Sequence, residues 1–163
     1  MTSLEATTAA PLRIPFAQLS GAVGATLGPS RWLRVDQSRI DLFADATDDH
    51  QWIHVDRERA QAGPYGGTIA HGFLTLSLVA PLLKDMLVVE DVAGALNYGL
   101  ERVRFPSAVP AGREIRARGS ITAAEPSASG TRVVLSLVIE VHKQEKPACV
   151  LDLVVLYTPA ARR

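Results

Sequence analysis

The chain has 163 residues, 47% of them hydrophobic and 21% charged, with seventeen basic and seventeen acidic side chains that cancel. This composition supports one domain with a real hydrophobic core and excludes a disordered chain. A net charge of zero supplies no global field, so neither nucleic acid nor a membrane surface is expected as a partner.

In chain order, residues 1–12 are small and polar and read as a flexible leader. Glu5 and the absence of a basic n-region argue against a secretory signal. The domain is expected over 13–159, with Ala160–Arg163 as a short tail. Trp32–Val35 reads as a strand. Asp36 is placed to cap a helix that runs to about Ala46 and carries Ile40, Phe43 and Ala44 on one face. Gly63-Pro64-Tyr65-Gly66-Gly67 is a loop by composition.

A second helix is expected from about Gly72. Phe73, Leu74, Leu76, Leu78, Val79 and Ala80 make it apolar almost all round, which predicts burial on most sides, and Pro81 should kink or end it. The uncharged run Ile69–Leu83, with His71 neutral, is shorter than the roughly 18 residues of a membrane span. From Leu96 onward the pattern becomes strands, at Arg113–Ala123, Thr131–Val141 and Cys149–Tyr157. Turns at Pro126–Gly130 and around Lys143–Pro147 should make them antiparallel neighbours. Helices early and long strands late give an α+β class, a curved antiparallel sheet around one central helix, which resembles the hot-dog fold. Cys149, the single cysteine, cannot form an internal disulfide, which fits a reducing cytoplasm, and its apolar run predicts a buried thiol.

Asp49 and His54 are candidates for chemistry, although an Asp and a His at this spacing also occur together by chance. A carboxylate and an imidazole can share one water, one group taking a proton while the other gives one, and Gln51 between them could hold that water or a substrate carbonyl. His50 and His54 have the helical spacing of a metal pair, but no Glu follows His50 as in helical zinc proteases. Asp45, Asp48 and Asp49 lack the ligand number and turn glycine of a calcium loop, so no metal is expected. His71-Gly72 opens the apolar helix. The first N–H groups of a helix have no intrahelical partner and can hold a developing oxyanion, although Gly72 could also merely relieve crowding. His71 alone reads as a satisfied buried histidine.

Taken together, Phe43–Thr47 through His54-Val55-Asp56, then Gly66–Ser77, then Asn97-Tyr98-Gly99-Leu100 through Val103-Arg104-Phe105-Pro106, resemble the MaoC-like, (R)-specific enoyl-CoA hydratase family. The likeness is to its nodulation-protein-N-like branch. The resemblance implies a hydro-lyase of fatty-acyl thioester metabolism, with Asp49 and His54 as the catalytic pair and the Gly72 N–H on the thioester carbonyl. Gln51 and Asn97 are carried over as substrate-binding positions. Gln51-Trp52 departs from the family's usual Asn-Pro, and Gln51 keeps an amide that donates and accepts. No cofactor is implied beyond the coenzyme A or carrier-protein pantetheine of the substrate, and a homodimer is expected. Arg102, Arg104, Arg116 and Arg118 are either phosphate contacts or a solvated strand face. The competing functions are a hot-dog thioesterase and a non-catalytic thioester-binding subunit.

Overall fold

The computed structural model describes residues 10–161. Residues 1–9 of the expected leader therefore lie outside the described residues, and its last position, Leu12, begins a strand. That strand, β1 (Leu12–Pro15), runs parallel to β4 (Leu87–Glu90), and a 3-10 turn at Phe16–Ala22 leads away from it. The main sheet has the order β2-β6-β7-β8-β5, with β3 also paired to β6. Its strands are β2 (Thr26–Leu27), β3 (Leu33–Val35), β5 (Val92–Arg104), β6 (Arg113–Ser127), β7 (Gly130–Val141) and β8 (Cys149–Pro159). All pairings within this sheet are antiparallel.

Alternation produces the two faces of the sheet. Ile115, Ala117 and Ile121 on β6, and Val133, Leu135, Leu137 and Ile139 on β7, are buried, while Arg118 and Thr122 face solvent. Ser127 pairs with Gly130, so the β6–β7 turn has only Ala128 and Ser129 between the strands. Pro126 thus lies inside β6 instead of in the turn. It is tolerated because β2 pairs only as far as Ser120, leaving that side of β6 without a strand neighbour that needs its N–H. Gly130 is required: a Cβ there would sit 2.0 Å from the Tyr157 carbonyl oxygen. Cys149 at the start of β8 is buried, and that burial pushes its thiol up to about 11, an inert group at neutral pH.

The helical layer begins with α1 (Gln37–Thr47). The Asp36 carboxylate accepts the Arg39 N–H at 3.0 Å as its N-cap, a bond that also holds this carboxyl below its ordinary pKa. Ile40 and Ala44 are buried and Phe43 packs on the core. Two short helices follow, α2 (Trp52–Val55) and α3 (Arg57–Gln61), then α4 (Gly72–Ser77) and α5 (Val79–Lys84).

The expected long helix is thus two pieces. The break falls at Leu78, and Pro81 is the third residue of α5, where an N–H would have no intrahelical partner. Leu74, Leu78, Val79 and Leu82 bury one face against the sheet. Phe73 is 69% exposed and Ala80 is exposed as well, so burial on most sides does not hold for the isolated chain. Among the described residues, only the edge-on Phe105 ring, with its centroid 6.3 Å from that of Phe73, comes against that face as an aromatic neighbour. No helix among the described residues is long and apolar enough to cross a membrane.

Candidate active site

The left-handed backbone of Asp48, φ 57°, ends α1 and turns the chain so that Asp49 and His50 precede α2. His54 in α2 is 6% exposed and is anchored from several sides. Its Nδ1–H donates to the Ile69 carbonyl at 2.7 Å, and the Ile69 N–H donates to the Ile53 carbonyl at 3.0 Å. The Gln37 amide donates to the His54 carbonyl and to Asp41, each at 2.7 Å, and accepts from the Thr68 hydroxyl.

A carbonyl can only accept, so Nδ1 of His54 carries the hydrogen. Nε2 is then the nitrogen with a free lone pair in the neutral ring. Burial lowers the His54 pKa. The Ile69 bond opposes this, neighbouring His71 adds to it and Asp49 opposes it, with a net downward shift that favours the neutral ring.

His71 is 3% exposed and stacks on His54, the ring centroids 3.7 Å apart and the planes at 26°. Its Nε2–H donates to the Asp49 carbonyl at 2.9 Å, while its Nδ1 is buried without a hydrogen-bond partner. A carboxylate oxygen of Asp49 and one ring nitrogen of each histidine lie within 4.8 Å of one another. As a metal site this cluster is poorly shaped. Lone pairs in two stacked, nearly parallel rings run side by side instead of converging on one ion. The other candidate pair, His50 with His54, is not assembled. His50 lies on the surface with Nε2 2.9 Å from Asp45 Oδ1, and that carboxylate raises its pKa.

Gly72 is the first residue of α4, with His71 as the N-cap. It lines a cleft of about 300 Å³ together with His54, Tyr65, Ile69, Thr75 and Phe105. The Phe105 ring lies over its Cα, 3.3 Å from where a Cβ would be. Because α4 has only six residues, its macrodipole is small, and the local N–H is the main donor Gly72 offers.

The structure brings Asp49 beside His54 and places Gly72 with His54 in one cleft, while neither Gln51 nor Asn97 lines that cleft. Gln51 starts α2 with an exposed side chain that makes no hydrogen bond within the described residues. Asn97 lies on β5 beside a separate cleft of about 290 Å³ with Leu76, Ser77 and Leu100, at the far end of α4. Tyr65 also lines the His54 cleft, whereas Trp52, Phe73 and Leu76 do not. Trp52 instead packs under Arg59, whose guanidinium carbon is 4.5 Å from its ring. Three of the four arginines are paired, Arg102 with Asp152 and both Arg116 and Arg118 with Glu140. The Arg104 side chain bonds only to the Val103 carbonyl among the described residues. His71 was underrated by sequence reasoning. The available signal was its place beside Gly72.

The chain matches known proteins at three levels: a family model, curated relatives and solved structures. The family model for the MaoC like domain matches residues 18–142. The 3-hydroxyacyl-thioester dehydratase Z of Mycobacterium tuberculosis is 49% identical over 142 residues, covering 86% of this chain and 94% of that protein. Nodulation protein N of Rhizobium leguminosarum is 44% identical over 138 residues, covering 83% of this chain and 86% of that protein. Among solved structures, the (R)-hydratase from A. caviae involved in PHA biosynthesis aligns with a TM-score of 0.68 at 24% identity, over 82% of this chain and 95% of that one, a likeness of fold. On that match and these identities, the chain belongs to the MaoC-like dehydratase family, hydro-lyases built on the hot-dog fold.

Proposed function

We propose that the chain is an (R)-specific enoyl-CoA hydratase, which in reverse dehydrates a 3-hydroxyacyl thioester. The observation that carries this reading is the locked tautomer of His54: Nδ1–H is committed to Ile69, so Nε2 is a lone-pair base beside the Asp49 carboxylate. In the forward direction Asp49 accepts one O–H of the water and aims it at C3 of the trans-2-enoyl thioester. His54 Nε2 takes the other proton as the water oxygen bonds to C3. The C2–C3 electron pair moves toward the thioester carbonyl, and the Gly72 N–H stabilises the oxyanion. The His54 imidazolium then returns the proton to C2 on the same face, which makes the addition syn and restores the neutral ring.

Water adds without oxidation or reduction, so the reaction calls for no flavin or nicotinamide, and on this reading Asp49, His54 and the Gly72 N–H fill the roles of water activation and carbonyl polarisation that a metal would otherwise supply. Coenzyme A or a carrier-protein pantetheine enters as part of the substrate. The lone buried Cys149 fits a cytoplasmic protein. A homodimer is part of the same reading, because β5 is an edge strand of thirteen residues whose Leu96, Tyr98 and Leu100, with Phe73 of α4, are exposed.

Incubation with crotonyl-CoA tests the function. Loss of enoyl absorbance without free thiol, and a 3-hydroxybutyryl product of R configuration, is the expected result. Release of thiol would make the chain a thioesterase, and binding with neither change would make it a non-catalytic subunit.

A further inference from the structure

His71 is surrounded more closely than a space-filling residue requires. One face of its ring meets His54 with centroids 3.7 Å apart, and Phe43 lies 5.0 Å away. Its Nε2–H is used on the Asp49 carbonyl, and its own carbonyl accepts the Thr75 N–H at 3.1 Å as α4 begins. Its Nδ1 is sealed from water with no partner, which is costly for folding. An apolar side chain of similar volume would fill the space without that cost. It would lose the one bond that joins the Asp49 loop to the helix carrying Gly72, and the imidazole stacked on His54.

We propose that His71 is a positioning residue, tying the Asp49 main chain and the His54 ring into one arrangement beside Gly72. It touches no substrate atom and acts through its two neighbours. The Nε2–H bond fixes where the Asp49 peptide, and hence its carboxylate, sits. The two stacked rings, with centroids 3.7 Å apart, repel each other when both are protonated, which disfavours proton uptake at His54 and favours its proton-accepting form. The groups facing His54 are His71 from the start of α4, Asp49 from the α1–α2 connection and the Ile69 carbonyl, with Asp49 acting in the opposite sense. This assignment rests on the hydratase reading for its kinetic consequences, but not for its effect on the His54 titration.

The test uses His71→Leu and His71→Gln in the full chain. A glutamine amide can replace the Nε2–H donor to Asp49 but not the stacked ring. His71→Leu should lower kcat on crotonyl-CoA by about 30-fold or more with KM changed by less than about threefold, the split that marks loss of transition-state geometry. His71→Gln should recover kcat to within roughly fivefold of the parent at high pH, while its acid limb moves to higher pH by about half a unit. Nuclear magnetic resonance of the His54 imidazole should show the same upward move of its titration midpoint. If His71→Leu does not fold, His71→Gln carries the test. An unmoved midpoint in His71→Gln, or equal loss of kcat in both variants at every pH, overturns the proposal. If the parent protein hydrates no enoyl thioester, the hydratase reading fails, and the His54 midpoint in His71→Gln still decides this one.

Discussion

At the N-terminal end of α4, His54 and His71 are nearly sealed from solvent, and hydrogen bonds from α1, Ile69 and Asp49 hold them. At the other end, Leu76, Ser77 and Asn97 line an open cleft, and Phe73, Leu96 and Tyr98 project into solvent. In the first region, the hydrogen bonds that anchor His54 among the described residues come from its own chain. The second has the apolar, edge-strand character of half an interface. On the proposed reading, the difference separates the acid–base centre, whose residues one chain supplies, from the wall along which a long thioester would lie, which a second copy would complete.

The largest effect expected is at the finished end. Asp49→Asn or His54→Ala should lower kcat by about 10²–10⁴, the usual range for losing a positioned proton-transfer group, with little change in thermal stability for exposed Asp49→Asn. Steady-state hydration of crotonyl-CoA beside a melting curve checks both halves. Turnover unchanged in either variant would remove the acid–base centre from the first region and undo the comparison.

The unfinished end is broken differently. Placing carboxylates on the open face with Tyr98→Asp and Leu100→Asp should weaken self-association by about 100-fold or more, because a charge buried at an apolar contact loses solvation without a partner. Analytical ultracentrifugation would show the shift to monomer. If the parent protein is itself monomeric at micromolar concentration, the exposed face belongs to some other contact.

Gln37→Leu asks how far the support of His54 extends. It removes a donor to the His54 carbonyl and an acceptor for Thr68, and should cost about 1–3 kcal/mol in chemical denaturation with a drop in kcat. A kcat equal to the parent's would show that the Ile69 bond alone places the imidazole.

The sign of the pH dependence follows from His54. Its folded pKa is lowered, so below its ordinary value of about 6.5 the unfolded chain takes up a proton that the folded one resists. Stability from this group is therefore full above that value and falls as pH drops through the window between the two. The acid limb of kcat/KM should lie below the ordinary histidine range. His50 works the other way: its raised pKa adds stability at low pH that is lost as pH rises through its folded value, and it sits at the surface where screening weakens it. Melting temperatures of the parent and of His50→Gln across the pH range separate the two.

Much of the first region was legible because its signals are local. Asp36 capping, the Asp49–His54 spacing and Gly72 at a helix start all lie within short windows, and the three long strands announce themselves by alternation. What was not legible depends on distance along the chain or on another chain. The ring bond of His71 goes to a carbonyl 22 residues away, Gln37 meets His54 across 17, and β1 finds β4 across the whole helical layer, Leu12 pairing with Leu87. An apolar run does not reveal where it will break, so the interruption at Leu78 was invisible beside the more conspicuous Pro81. Phe73 looked like core because its hydrophobicity reports a need for cover without saying which surface supplies it.

The smallest expected effect sharpens the comparison most directly. Within one chain Asn97 lines a cleft separate from that of His54, beside the C-terminal end of α4, which places its amide apart from the proposed proton transfer. If its contribution is to the wall, Asn97→Ala should raise KM for acyl-CoA by about two- to fivefold, a loss of ground-state binding, with kcat within about twofold. Should kcat instead fall tenfold while KM holds, Asn97 must reach a reacting centre, which on this fold requires the centre of a second chain placed against β5. The same measurement on the Tyr98→Asp background then distinguishes the two. A kcat effect that disappears when association is lost would carry the acid–base centre across the interface, and one that persists would keep both regions within a single chain.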